Sequence, residues 1–118
     1  MEIDLRIGKS YSRIMKIFLD DLRDCPEGYA LARDVATARK MLVDCAASGT
    51  IIEELSFDND LGENQPEGRH LMDWLEEQHI VNGFPLPSRM RVHSANPVAA
   101  SYMRNVIEAL YGRQKTSI

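Results

Sequence analysis

Ile14-Met15-Lys16-Ile17-Phe18-Leu19-Asp20-Asp21 is a short, nearly apolar run that stops abruptly in two carboxylates. A buried strand has this character, with its polar residues held back for its carboxyl end. The same pattern returns at Ile51 to Phe57, which ends in Asp58-Asn59-Asp60. It comes a third time at Met90-Arg91-Val92-His93, followed by Ser94, where alternating apolar and charged residues predict an edge strand wetted on one face.

The segments between these runs read as turns and helices. Asp24-Cys25-Pro26-Glu27-Gly28 is turn chemistry, and Tyr29 to Arg33 predicts a second, short strand. Asp34 stands as a helix N-cap before Val35, Ala38, Leu42 and Cys45 at helical spacing, and Ser48-Gly49 closes that helix. Gly62 to Gly68 is a polar loop. Leu71, Trp74, Leu75 and Gln78 then share a face of a helix ending near Asn82-Gly83. Pro85 and Pro87 lead into the edge strand, and Asn96-Pro97 opens the last helix, with Asn96 as cap. That helix carries Val98, Tyr102, Val106 and Leu110 four apart, with Ala99, Met103 and Ile107 beside them.

Strands alternating with helices predict an α/β fold with right-handed crossovers and a mostly parallel sheet covered on both faces. The boundaries follow: an N-terminal segment 1–13, a domain over 14–112 and a tail over 113–118. Ile3, Leu5 and Ile7 alternate in the first segment, which reads as an extra strand pairing with 14–19 or as a plain tail.

At 118 residues, 44% hydrophobic and 27% charged, the chain holds one domain with a core of its own. A net charge of −4 and a pI near 5.3 argue against general binding of duplex nucleic acid. Cys25 and Cys45 have neither metal-type spacing nor the density of a secreted disulfide scaffold. No apolar run approaches the length of a membrane span, and the first residues do not read as a signal peptide, so the expected compartment is the cytoplasm. No P-loop, zinc spacing, G-x-S-x-G or dinucleotide fingerprint is present.

In a parallel α/β sheet, ligands gather beyond the carboxyl ends of the strands. Asp20-Asp21, Asp58-Asn59-Asp60 and His93-Ser94 therefore converge. Crowded carboxylates raise one another's pKa unless a cation compensates, and a hard divalent ion, Mg²⁺ or Mn²⁺, takes oxygen ligands of this kind. Asp20, Asp21 and Asp58 are the candidate ligands. Asp58, first after its strand, also stands as nucleophile, and Asp60 either joins the chemistry or closes an Asx turn. His93 reads as a general acid or base, or as a half-buried edge-strand histidine bonded to backbone. Arg23, Ser94 and Asn96 are the candidate phosphate binders. Arg23 alternatively pairs with Asp20 or Asp60, and Asn96 alternatively only caps its helix. His70 and His79 read as helix-surface residues.

Phe18-Leu19-Asp20-Asp21-Leu22-Arg23 with Pro26 and Gly28-Tyr29, Ser56-Phe57-Asp58-Asn59-Asp60-Leu61-Gly62, and Val92-His93-Ser94-Ala95-Asn96-Pro97 occur in order. Together they resemble the cyclic-phosphate-processing receiver-like domains, with their S-L-D-H-D-L-G and H-S-A-N-P signatures, over about residues 16–111. The resemblance implies a receiver-like (flavodoxin-like) three-layer sandwich with three main helices, in which the loop 22–28 largely replaces the first helix of a response regulator. It also implies action on cyclic phosphates, such as RNA 2′,3′-cyclic ends or cyclic nucleotides, at Asp20, Asp21, Arg23, Asp58, Asp60, His93, Ser94 and Asn96. Asn59 departs from the family's histidine. The lysine that senses an acyl phosphate in signalling receivers has no counterpart, which disfavours phosphorylation of Asp58 by a histidine kinase. The expected partner is a small phosphorylated ligand or a nucleic-acid end. Three functions stay open: a metal-dependent phosphoesterase, a module that binds a phosphorylated ligand or a partner protein without chemistry, and, least favoured, a signalling receiver phosphorylated on Asp58.

Overall fold

The computed structural model describes residues 13–116. Its elements run β1 (Ile14–Leu19), β2 (Ala30–Ala32), α1 (Val35–Ser48), β3 (Ile51–Phe57), α2 (Gly68–Asn82), β4 (Arg89–Val92) and α3 (Pro97–Thr116). The four strands are all parallel, in the order β2-β1-β3-β4. This is the α/β receiver-like class expected from the sequence, with β4 at an edge.

Local chemistry sets the helix ends. The Asp34 carboxylate accepts from the Thr37 amide at 2.8 Å, and Gly49 closes α1 in the left-handed region at φ 76°, where a β-carbon would be strained. Asn96 caps α3 through its Oδ1, which accepts from the Ala99 amide at 3.1 Å. α3 continues as helix to Thr116, into the stretch read as a tail.

One hydrophobic core joins Ile17 and Leu19 of β1, Ile52, Leu55 and Phe57 of β3, and Met90 of β4 to all three helices: Val35, Ala38, Leu42 and Cys45 of α1, Leu71, Met72 and Leu75 of α2, and Met103 and Leu110 of α3. The strand residues in that core occupy one side of the sheet. Helices on both faces were expected; among the described residues, α1, α2 and α3 share a single face. The cause is the direction of the connections. β2 to β3 and β3 to β4 advance the same way across the sheet, so right-handed crossovers put both helices on the same side. The connection that turns back, β1 to β2, is the helix-free loop 20–29. A third layer would come from that connection.

The opposite face is polar and aromatic. The Phe18 ring meets Tyr29 edge-on at 6.0 Å and stacks on His93 at 4.4 Å. The Tyr29 hydroxyl and Arg89 Nε both donate to the buried Glu54 carboxylate, the latter at 2.7 Å. A bulge opposite Met15/Lys16, in which Glu53 is the extra residue, lets Ile52 and Leu55 both face the core and turns Glu54 to the other side.

β1 has β2 on one edge and β3 on the other. The segment 2–8, read as an extra strand or a plain tail, lies outside the described residues. One further expectation is corrected. In α3, Val98 and Tyr102 are exposed, and the buried stripe is Ala99, Ala100, Met103 and Leu110.

Candidate functional site

The sheet ladder continues one residue past three strands and fixes the start of each polar cluster. The Asp20 amide donates to the Ala32 carbonyl at 3.0 Å, the Asp58 amide to Leu19 at 2.9 Å, and the His93 amide to Phe57 at 2.9 Å. Asp20, Asp58 and His93 thus leave adjacent strands at one level. Because side chains alternate, all three follow the helix-free side, after Phe18, Ser56 and Arg91. Sequence reasoning brought these groups together, and the structure does too.

Asp20 is 1% exposed and holds four donors. The amides of Leu22 and Arg23 bond its Oδ1 at 2.9 and 2.8 Å; Arg23 Nη1 and His93 Nε2 reach its Oδ2 at 2.7 and 3.0 Å. Burial alone would raise its pKa. The two amides, Arg23 and His93 outweigh that and lower it to about 2. Asp58, 7% exposed, behaves oppositely. Burial and the neighbouring Asp20 charge raise its pKa, against the Asn59 amide and Arg23, whose Nη1 lies 3.6 Å away. One carboxylate is held ionised and its neighbour is inclined to keep a proton, as like charges at close range require.

Asp20, Asp21 and Asp58 each offer an oxygen, and the three oxygens lie within 4.8 Å of one another. That all-oxygen set suits a hard divalent cation, spanned with little side-chain movement. An open cleft of about 760 Å³ lies over it, lined by Leu22, Arg23, Asp60, Leu61, Gly62 and Ala95 among others. Among the described residues, six carboxylates line this cleft, Asp20, Asp21, Asp58, Asp60, Glu63 and Glu67, against the single guanidinium of Arg23.

The remaining candidates divide. Arg23 bridges Asp20 and Asp58, and is not paired with Asp60. Asp60 is exposed on the cleft wall, where its Oδ1 accepts from Asn59 at 3.1 Å. Ser94 Oγ accepts from the Asn96 amide at 3.0 Å and Asn96 caps α3, so both side chains serve the helix start, and of that run only Ala95 lines the cleft. His93 has both ring nitrogens engaged, Nε2 on Asp20 and Nδ1 on Ser56 Oγ at 2.7 Å. Asn59, in place of the family's histidine, is buried. Its Oδ1 accepts from the Arg69 amide and its Nδ2 donates to Glu67, which tie the loop to the start of α2. Of the two helix histidines, His70 Nδ1 accepts from the Glu67 amide, and His79 Nδ1 lies 2.7 Å from the Phe84 carbonyl.

Three contributors were given no role of their own in the sequence reading. Ser56 heads the motif over 56–62 and lies two before Asp58 on the same side of β3, and those were its only signals. Arg33 Nη1 donates to the carbonyls of Asp20 and Arg23, pinning the loop from behind. Gly68 sits where a β-carbon would lie 2.0 Å from the Asp58 carbonyl oxygen, so α2 can start against the site only with glycine there.

The model of the cyclic-phosphate processing receiver domain matches residues 15–109, from β1 into α3. The chain belongs to that family. The matched span of this cyclic-phosphate processing receiver domain contains Asp20, Asp21, Arg23, Asp58, Asp60, His93, Ser94 and Asn96. No curated protein and no solved structure matches the chain. Among the described residues, no helix is long and apolar enough to cross a membrane.

Proposed function

We propose that this receiver domain is a cation-assisted phosphoesterase that opens a cyclic phosphate, carried by a small cyclic nucleotide or a 2′,3′-cyclic nucleic-acid end. The observation that carries the reading is the meeting of Asp20, Asp21 and Asp58 oxygens within 4.8 Å under an open cleft. A phosphate diester entering a wall of six carboxylates and one guanidinium would be repelled, so the charge balance calls for a cation first.

A bound Mg²⁺ or Mn²⁺ would neutralise phosphate oxygens and make a coordinated water a better nucleophile. The chain's own groups do the rest. Asp20 is held ionised by its four donors, and a cation would offset the crowding that raises Asp58. Arg23, whose side chain is 48% exposed, would turn from Asp20 and Asp58 to a phosphate oxygen, where its planar fork bonds bidentately. The Ser94 hydroxyl, whose oxygen accepts from the Asn96 amide, still has a proton that it would donate to a phosphate reaching past Ala95. Asp60, on the cleft wall outside the three-oxygen cluster, would take a proton from the attacking water. Water's oxygen bonds to phosphorus, one ring P–O bond breaks, and the proton passes to the leaving alkoxide, giving a phosphomonoester.

A second reading, a module that binds the phosphorylated ligand without turnover, is favoured by one observation: His93, Ser94 and Asn96 all have internal partners. Phosphorus NMR separates the two. Wild-type protein and Asp58→Asn are incubated with 2′,3′-cyclic and 3′,5′-cyclic nucleotides and Mg²⁺ or Mn²⁺. A monoester signal that grows with wild type and not with the variant supports the esterase. A ligand that binds and is recovered intact supports the module.

A further inference from the structure

Ser56 is 6% exposed, on the helix-free side of β3, with its Oγ 2.7 Å from His93 Nδ1. The other ring nitrogen, Nε2, is 3.0 Å from Asp20 Oδ2. An ionised carboxylate only accepts, so Nε2 must carry a proton. In a neutral imidazole Nδ1 is then a bare lone pair, and the Ser56 hydroxyl is the donor that faces it. Phe18 lies parallel to the ring at 4.4 Å and 5°, which removes the remaining freedom of its plane. The reverse tautomer would set two lone pairs against each other at Asp20.

We infer that Ser56 and His93 form a positioning chain ending on Asp20: Ser56 donates to Nδ1, this fixes the Nε2–H tautomer, and Nε2–H holds Oδ2 of Asp20 in one orientation at the cleft. His93 is thereby a positioning residue, and the proton traffic of the reaction runs elsewhere. The chain matters most when Arg23 leaves Oδ2 for a phosphate, because His93 is the other side chain bonded to that oxygen. The role given to Asp20 rests on the esterase reading; the tautomer does not.

The test separates those two dependencies. Two-bond proton–nitrogen spectra are recorded on protein with labelled histidine, without added metal, at a pH high enough to neutralise the rings. The chain has only three histidines, and His93→Gln assigns the resonance. Wild type should show the Nε2–H pattern at His93, Ser56→Ala a mixture of tautomers, and Ser56→Thr the wild-type pattern. Mn²⁺ affinity should fall about 10-fold in Ser56→Ala, the low end of the effect of removing a ligand's own hydrogen-bond partner because Ser56 acts through His93, and return in Ser56→Thr. An Nδ1–H pattern in wild type, or a Ser56→Ala variant with unchanged tautomer and affinity, overturns the inference. A wild type that binds no Mn²⁺ refutes the reading of the cation site, and the ring spectrum then decides the chain alone.

Discussion

Asn substitutions at Asp20 and Asp58, neighbours on adjacent strands, should change stability in opposite directions. Asp20 falls from an ordinary value of 3.8 to about 2 in the folded chain. At about 1.4 kcal/mol per pH unit, that gap is worth about 2 kcal/mol. A carboxylate with a depressed folded value gives its full stability above the unfolded value, near pH 4, and loses it as pH falls through the folded one. Asp20→Asn should therefore destabilise the domain by up to about 2 kcal/mol at neutral pH, roughly 8 °C in melting temperature for a domain of this size. The difference should shrink as the pH approaches 2. Asp58 has the opposite sign: its folded value is raised, first by burial and then by Asp20, so its ionised form costs stability above that value. Asp58→Asn removes that cost and should leave the midpoint at or above wild type. Urea unfolding of the three proteins without metal, from neutral to acid pH, reads both. An Asp20→Asn variant as stable as wild type at pH 7, or an Asp58→Asn variant clearly less stable, would refute the electrostatic argument.

Three further substitutions probe how the site is held. Gly68→Ala puts a β-carbon 2.0 Å from the Asp58 carbonyl oxygen; it should cost about 1–3 kcal/mol in urea unfolding and weaken Mn²⁺ binding, and a midpoint within about 0.5 kcal/mol of wild type would contradict the close approach. Asn59→Ala strands the Arg69 amide and frees the loop from Glu67, so unfolding should become easier by about 1–3 kcal/mol, with faster amide exchange at Arg69. Glu54→Gln removes a buried charge bonded by Tyr29 and Arg89 on the helix-free face, away from the cleft; it should lower stability by about 1–3 kcal/mol while Mn²⁺ affinity stays at wild type, and a change in affinity would show coupling between the two.

The strand-end acids were readable because two facts suffice to join them: apolar runs that end in carboxylates, and the parallel order that aligns carboxyl ends. Asp34 and Gly49 were readable because capping depends on a few adjacent residues. What escaped the sequence depends on partners far along the chain. The sharing of one face by three helices follows from the direction of each crossover, which alternation of elements does not encode. The bulge at Glu53 shifts the parity of β3, so the turn of Glu54 to the helix-free face could not be read from its spacing. Val98 and Tyr102 fit a helical stripe four apart, yet α3 packs through Ala99, Ala100 and Met103, about one residue round the helix. His93 was placed correctly at its strand end, but its two partners lie 37 and 73 residues away.

A titration with Mn²⁺, followed by electron paramagnetic resonance of the free ion, tests most directly whether Asp20, Asp21 and Asp58 act as one cation site. Wild type should take up one ion per chain, and Asp21→Asn and Asp58→Asn should each lose most of that affinity while remaining folded. Absence of binding in the wild type, or an affinity indifferent to both substitutions, would contradict it.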